Sequence, residues 1–344
     1  MDRRLATVAL MVCALVAIGL GPALAQTGRS TVPRTADGRP DLQGVWDFRT
    51  LTPLQRPADQ GENAVLSAEE VAEIEARAAQ SVIDADRPSE VRTEPLPVGA
   101  AVGGYNNFWF DRGAGVVDDN RTSLIVSPQT GRVPQLQPGL DMVELSLGED
   151  IAGTRPVRVR AAGIGADSWE DRGLAERCLL GFNSGPPVVP AGYNQNLQIF
   201  QTPDHVVILH EMVHDSRIVP LDGRPHLPGH VRQWMGDSRG YWDGDTLVVE
   251  SKNYTGKTSS FSPSVTTAAG DGTTLNLTER FTRVADDTML YEFTVDDSAT
   301  FTAPITAQIP MKRGEPMFEY ACHEGNYGLP NILAGARQAE NASR

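Results

Sequence analysis

The chain of 344 residues contains few basic residues, few aromatic residues and only three cysteines. Lys and Arg number 30 against 44 Asp and Glu, so the formal net charge is −14 at pH 7. A surface this acidic repels phosphate backbones and anionic lipid headgroups, so we expect neither nucleic acid nor a membrane surface as a partner. After the N-terminal region no stretch approaches the ~18 consecutive apolar residues of a transmembrane helix, so no membrane span is predicted.

Two common cofactor-binding signatures are also missing. The sequence has no P-loop, and it has no strand that is followed by Gly-x-Gly-x-x-Gly and a helix. These motifs cradle phosphates with backbone N–H groups, so their absence argues against the two large classes of nucleotide-dependent enzymes. No cofactor is therefore predicted.

The N-terminus has the layout of a secretory signal peptide. Arg3 and Arg4 form a positive n-region, residues 8–18 form an apolar h-region, and residues 23–25 are a small-residue cleavage site. We predict that residues 1–25 are removed and that the protein is periplasmic or secreted.

Two cysteines, Cys178 and Cys322, remain after this cleavage. Two thiols in an oxidising compartment usually pair, so a disulfide bond is predicted. It would close a loop of more than a hundred residues and could stabilise the fold by ~4 kcal/mol. The alternative is a pair of free buried thiols.

A single β-rich domain is predicted over residues 42–335, after an extended lead-in over 26–41. Helical insertions are predicted near 68–80 and near 168–180. The first begins with a capping box at Ser67, and the second begins at Ser168.

From about residue 196 the chain consists of short segments rich in Val, Ile, Thr, Phe and Tyr, separated by turn signals. One of them, "LNLTERFTR", places alternate residues on one face of a strand: Leu275, Leu277, Glu279, Phe281 and Arg283. The consecutive spacing predicts a mainly β fold in which an antiparallel meander forms a barrel or a strongly curved sheet, with few short helices.

Gly44-Val45-Trp46 resembles the opening signature of lipocalin-like barrels, in which the tryptophan closes the barrel floor. The resemblance implies a calycin or lipocalin-like barrel. A shared fold says little about function.

The string "HVVILHEMVHDS" contains His-Glu-x-x-His. On a helix, His210 and His214 would be zinc ligands and Glu211 the general base of a peptidase. β-branched residues before the motif and Pro220 after it favour a strand instead. We therefore predict a strand with alternate residues of 206–214 on one face.

All six histidines follow residue 204, and five of them lie within 205–230. Asp, Arg and Trp are interleaved with them, which is typical of a pocket wall. The alternative is a buried structural network, in which Asp215 pairs with Arg217 and Asp222 pairs with Arg224.

Five residues are candidate acid–base groups. Histidine titrates near neutral pH, so His214 is the predicted general base or acid and His323 the second proton-transfer group. Glu211 or Asp215 would orient His214, and Glu324 lies beside His323.

Further residues are candidate substrate contacts: Arg217, Arg224, His226, Trp234, Asp237, Trp242 and Asn326. Arginine would stabilise an oxyanion or bind a carboxylate, and tryptophan would stack on an apolar or aromatic substrate.

Several long strings resemble a large group of secreted bacterial proteins: "DLQGVWDF", "ERCLLGFNSGPP", "MVHDSRIVPLDGRPHLP", "RQWMGDSRGYWDGDTLVVES" and "FEYACHEGNYG". The resemblance covers nearly the whole mature chain and implies export, but it implies no particular activity. That group does not regularly carry histidine at position 210, which implies that Glu211, His214, Asp215 and Arg217 matter more than His210.

Three functions follow as hypotheses. The first is an exported enzyme of lyase or isomerase type, or a hydrolase, that uses acid–base chemistry on a small apolar or aromatic molecule in a barrel pocket. The second is a non-catalytic lipocalin-like binding protein. The third is a metalloenzyme, including a zinc peptidase, that holds a divalent transition metal with His210, His214 and His226.

Overall fold

The computed structural model describes residues 32–87, 93–94, 110–144, 163 and 165–344. The predicted signal peptide and the first part of the predicted lead-in lie outside the described residues. The strands are β1 (Gly44–Asp47), β2 (Ile125–Ser127), β3 (Val143–Glu144), β4 (Asn196–Gln201), β5 (His205–His210), β6 (Ser216–Pro220), β7 (Asp237–Asp243), β8 (Thr246–Lys252), β9 (Thr267–Ala268), β10 (Asn276–Arg283), β11 (Thr288–Asp296) and β12 (Ile305–Arg313). The α-helices of the described part are α1 (Ala68–Ala85) and α2 (Gly328–Ala342).

Nine strands form one sheet in the order β6-β5-β4-β1-β12-β11-β10-β8-β7, and every neighbouring pair is antiparallel. β2 pairs with β12 outside this order, and β3 pairs with β9 in a separate small sheet. The structure therefore confirms the predicted antiparallel β architecture.

The two edge strands, β6 and β7, approach each other and nearly close the sheet into a barrel. A Cβ atom added at Gly240 in β7 would lie 2.6 Å from Leu221 and 2.8 Å from Val219, so the side chains at the end of β6 pack directly on β7. Nine antiparallel strands are an odd number, so β6 and β7 run in the same direction. An antiparallel ladder cannot continue across this seam.

Side chains fill the interior of the barrel. Alternate residues of the central strands point inward and are fully buried, among them Phe281 of β10, Tyr291 and Phe293 of β11, and Ile309 of β12. Burying so much apolar surface is the main stabilising contribution to a fold of this kind. The interior is therefore a packed core.

Trp46, the tryptophan of the Gly-x-Trp motif, lies near the ends of β10 and β12, beside Arg283 and Arg313. Its side chain is fully buried, and its Nε1–H donates to the Leu42 carbonyl at 2.8 Å. The Arg313 guanidinium lies 4.3 Å above the ring centroid, and it occupies the space that a side chain at Gly44 would need. A cation over the indole face is attracted by the ring's negative potential.

The predicted helical insertions have different outcomes. α1 begins at the capping box of Ser67 and Glu70, and it extends beyond residue 80 to Ala85. In the second segment only Trp169–Asp171 forms a helical turn, because Arg172 is extended and the chain does not continue the helix. α2, near the C-terminus, was not predicted. No α-helix in the described residues is long and apolar enough to cross a membrane.

The His-Glu-x-x-His segment is neither one helix nor one strand. β5 ends at His210, and Met212–His214 form a single helical turn before β6 begins. The prediction that the strand continues to His214 is therefore wrong, because the chain reverses here in a hairpin in which the His210 N–H donates to the Asp215 carbonyl at 2.8 Å. The helix that a zinc peptidase needs is also absent from this described segment.

Candidate functional site

A layer of polar side chains lies inside the barrel near one end. We call this end the mouth; β5 ends there, and β6, β7 and β10 begin there. The polar layer consists of six residues: Arg217, Ser238, Ser251, Tyr254, Glu279 and Tyr291. None of them is more than 6% exposed.

A bidentate ion pair crosses the barrel in this layer. The Arg217 Nη1 and Nη2 groups donate to the two Glu279 carboxylate oxygens at 2.5 and 2.9 Å. Tyr291 donates its hydroxyl to Glu279 at 2.8 Å and accepts a hydrogen bond from the Val188 N–H at 3.1 Å. One edge strand, two central strands and the segment around Val188 are thus joined by a single network.

Burial and charge together fix the ionisation of this network. Burial by itself lowers the pKa of Arg217, but attraction to the Glu279 carboxylate outweighs it, and the pKa is raised above its ordinary value. Burial, reinforced by the negative charge of Glu279, raises the pKa of Tyr291 well above its usual range. Arg217 is therefore charged, and Tyr291 remains a hydrogen-bond donor at neutral pH.

A buried ion pair often adds little to the free energy of unfolding compared with apolar residues of the same volume. Removing two charges from water costs several kcal/mol per ion, and well-packed apolar residues often serve as well or better. The Arg217 Nε is in addition a buried donor without a partner among the described residues. Groups perturbed in this way cluster at functional sites, so the polar layer is a candidate site.

We call residues 182–189 the covering segment. Its Val188 N–H donates to the Tyr291 hydroxyl, so the segment lies against the polar layer. A small recess separates this segment from residues 259–262. Its lining consists of Phe182, Pro186, Pro187, Val189, Ser259, Ser260, Phe261 and Ser262.

The turn between β5 and β6 is strained. Val213 has a φ of 64° and His214 a φ of 47°, both in the left-handed region. A β-branched residue is a genuine outlier there, costs ~1–3 kcal/mol, and persists only where its surroundings enforce the conformation. Met212 and Val213 are buried against Cys178, which supplies that enforcement.

The predicted disulfide bond between Cys178 and Cys322 is present. It brings the C-terminal segment to the strained turn, where the His214 Nδ1 lies 2.5 Å from the Tyr320 carbonyl oxygen. Because a carbonyl only accepts, Nδ1 carries a hydrogen, and in the neutral imidazole Nε2 is then the acceptor. His323 and Glu324 follow within four residues of Tyr320, and both are exposed.

Three other candidate residues have structural partners. Glu211 accepts hydrogen bonds from the backbone and side-chain nitrogens of Asn196, at 3.2 and 2.9 Å. Asn326 donates to the Glu176 carbonyl at 2.7 Å. Asp215 is half-buried, and its carbonyl closes the hairpin with His210.

The two arginines have carboxylate partners within the chain. Arg224 binds Asp222 at the exposed surface, as the structural alternative predicts, and hydrogen bonds from Arg224 lower the pKa of Asp222 to about 2. Arg217 pairs with Glu279 and not with Asp215.

His226 and Asp237 also come together. The His226 Nδ1–H donates to Asp237 Oδ2 at 2.9 Å, and the same carboxylate accepts from the Leu227 N–H and from Arg239. Asp237 is only 4% exposed, so this carboxylate anchors the loop before β7.

The predicted tryptophans lie apart from one another. Trp234 is half-buried just before β7. Trp242 packs against the barrel core at the other end of β7, with the Arg39 guanidinium 5.5 Å above its ring. A single aromatic wall made by both rings is therefore not formed.

The histidines do not converge on a metal site. In the described residues, which include all six histidines, no group of three or more His, Cys, Asp or Glu side chains is placed to hold a metal ion. His210 is buried at the end of β5, His214 is exposed on the turn, and His226 is bound to Asp237.

Sequence reasoning missed two features of the site. Glu279 was placed on an otherwise largely apolar strand face, and a carboxylate there signals a buried partner. The string Gly236-Asp237-Ser238-Arg239-Gly240 also matches Gly-x-Ser-x-Gly, which needs a strand-to-helix turn that exposes the serine. Here Ser238 lies within β7, and its buried hydroxyl is bonded to that of Ser251 at 2.7 Å.

The buried ion pair yields a test by double-mutant cycle. Glu279→Leu leaves the Arg217 charge buried and alone, so we expect a loss of ~3–5 kcal/mol in the free energy of unfolding, measured in urea. The double variant Arg217→Met/Glu279→Leu should recover most of this loss. Arg224→Met, at the exposed pair, is the control and should leave the stability unchanged. A double variant no more stable than Glu279→Leu alone would contradict the assignment.

Comparisons with known proteins identify no relative by sequence: no protein-family model and no curated protein matches the chain. Two solved structures are similar over part of it. A secretory abundant heat soluble protein from Ramazzottius varieornatus is 14% identical, covers 35% of this chain and 70% of that chain, and has a TM-score of 0.22. A variant of the fluorescent protein UnaG is 16% identical, covers 35% and 72%, and has the same TM-score of 0.22. At these values the similarities carry no argument about function, and the barrel is assigned from its own strand order.

Proposed function

We propose that the protein is an exported small-molecule-binding protein whose ligand sits at the mouth of the barrel. The observation that carries the proposal is the buried network of Arg217, Glu279 and Tyr291. Buried ion pairs are often no more stabilising than apolar residues of similar volume, and this one is joined to the covering segment through Tyr291 and Val188.

The surroundings of the mouth favour a small organic ligand. Small-molecule sites are mostly apolar, contain a few placed polar groups, and occur in the mouths of β-barrels. The chain's charge of −14 opposes anionic polymers as ligands. A neutral or cationic small molecule therefore fits this chain better than an anion.

A thermal-shift screen tests this proposal. Compounds from a panel of uncharged aromatic and aliphatic molecules that bind the native state should raise the melting temperature. Tyr291→Phe loses the hydroxyl that joins the covering segment to Glu279, so each compound should bind it at least several-fold more weakly. Tyr241→Phe is the matched control, because Tyr241 is 47% exposed on β7.

Two results would count against ligand binding at the mouth. One is a complete absence of stabilising compounds. The other is equal affinity of the wild type and Tyr291→Phe for every compound that binds.

A second candidate function is acid–base catalysis at the strained turn, of lyase or isomerase type. The tautomer of His214 is fixed by the Tyr320 carbonyl, so its Nε2 is an acceptor aimed away from that bond. Backbone strain stored at a turn, together with an oriented histidine, is a pattern of catalytic sites. His214 Nε2 would remove a proton from the bound substrate, and His323 or Glu324 would return one.

Turnover distinguishes this second function from binding alone. Compounds found in the screen are incubated with the protein, and products are followed by mass spectrometry over a range of pH. His214→Asn should abolish turnover and leave binding intact, whereas His205→Asn, at the opposite end of β5, should change neither. If no bound compound is converted, or if His214→Asn converts it at the wild-type rate, His214 is not the base.

Export also belongs to this proposal and has its own test. The layout of residues 1–25 supports cleavage before Gln26. The chain with its native N-terminus, expressed in a Gram-negative host, should be recovered from the periplasm or medium with an intact mass that begins at Gln26. A full-length protein that remains in the cytoplasm would overturn this prediction.

A further inference from the structure

We propose that the disulfide bond between Cys178 and Cys322 is a redox switch, and that its reduction by a dithiol frees residues 315–344 together with the turn between β5 and β6. We call residues 315–344 the C-terminal segment. The barrel remains folded in both states. The release does not depend on the proposed function, because it concerns the conformation of the chain without any ligand.

The C-terminal segment has no buried residues, and this includes every residue of α2. Burial of apolar surface is the main force that attaches one part of a fold to another, so this segment is attached weakly by packing. At its far end, Arg337 donates to the carbonyls of Ala166 and Asp167 at the exposed surface, where water competes for the same groups. The covalent bond is therefore the main restraint that keeps the segment in place.

Two hydrogen bonds between the C-terminal segment and the rest of the chain flank the disulfide bond. Asn326 donates to the Glu176 carbonyl at 2.7 Å, and the Tyr320 carbonyl accepts from His214 Nδ1 at 2.5 Å. Each bond involves a residue within four positions of a bridged cysteine in the sequence. The disulfide bond keeps these groups at a high effective concentration, so the hydrogen bonds weaken when it is broken.

The backbone beside the disulfide bond is strained. Cys178 has a φ of 55°, Val213 a φ of 64° and His214 a φ of 47°. All three lie in the left-handed region, which is unfavourable for residues that carry a Cβ atom. Met212 and Val213 pack on Cys178 in one buried cluster, so the bridged cysteine supports the turn directly. Such conformations persist only where the surroundings enforce them, so relief of the strain favours the reduced, open state.

Reduction begins at Cys322, the more accessible cysteine, which is half-buried whereas Cys178 is only 5% exposed. A thiolate of the dithiol attacks the Cys322 Sγ, the S–S bond breaks, and Cys178 leaves as a thiolate that takes up a proton. The second thiol of the reductant then displaces Cys322 from the mixed disulfide as a thiol. The electrons and protons come from the dithiol, which is itself oxidised to a disulfide.

Hydrogen–deuterium exchange followed by mass spectrometry tests the release. The mature, disulfide-bonded protein is compared with the same protein after reduction by dithiothreitol without denaturant and capping of the thiols with iodoacetamide. We expect the exchange rate to rise roughly tenfold or more over residues 211–215 and 317–327, because both lose their restraint. The amides of β10, β11 and β12 in the barrel should keep their protection and serve as the internal control.

The double variant Cys178→Ser/Cys322→Ser is the matched comparison, because it removes the bond without a reductant or a cap. It should show the exchange pattern of the reduced protein, and dithiothreitol should change it no further. Reoxidation of the uncapped reduced protein should restore the protection of the turn. Three results would contradict the switch: a bond that resists reduction in the folded protein, full protection of both segments after complete reduction, or a loss of protection throughout the barrel.

Discussion

The ion pair between Arg217 and Glu279 crosses the interior of the barrel, and the geometry of the mouth depends on it. β6 is an edge strand, and the seam between β6 and β7 carries no backbone ladder. Arg217 ties this edge strand to β10 from the inside, while Val219 and Leu221 pack on Gly240 from the same side of the seam. The ion pair joins β6 to β10, and side-chain packing joins β6 to β7. Together they hold an edge strand that has no backbone hydrogen bonds to β7.

The same carboxylate extends this influence to the surface. Glu279 accepts a hydrogen bond from the Tyr291 hydroxyl, and that hydroxyl accepts one from the Val188 N–H of the covering segment. The buried carboxylate is therefore linked to that segment by two hydrogen bonds. On the other side of the mouth, the disulfide bond and the buried side chains of Met212 and Val213 hold a turn in a conformation it would not adopt alone. Two independent devices therefore hold the mouth in one shape, which favours binding without a large ordering penalty.

This rigidity is relevant to both proposed functions. A binding protein gains affinity from a mouth that is already ordered, and the buried network and the disulfide bond order it here. An acid–base enzyme needs a histidine of defined tautomer, and His214 has one because of the Tyr320 carbonyl. The two are compatible, since a substrate must bind at the mouth before His214 acts on it. The packed interior of the barrel places either site at the mouth and not in the lumen.

The local elements follow from residues that are close together in the sequence. Alternation of apolar residues specified the strands, Ser67 and Glu70 specified the start of α1, and the two cysteines outside the predicted signal peptide could pair in only one way. Sequence reasoning also placed Glu279 beside Leu277 and Phe281 on one strand face, and the structure buries that face. These features depend on residues a few positions apart, so they can be predicted from the sequence.

Which distant residues meet depends on the tertiary structure. Arg217 was predicted to contact substrate, with a pair to Asp215 as the alternative, yet it pairs with Glu279, 62 residues along the chain. His214 was expected within a strand, yet it lies on a turn against a carbonyl 106 residues away. The physical reason is register: a shift of one residue turns every side chain of a strand to the other face, and barrel closure fixes that register through contacts between strands far apart in the sequence.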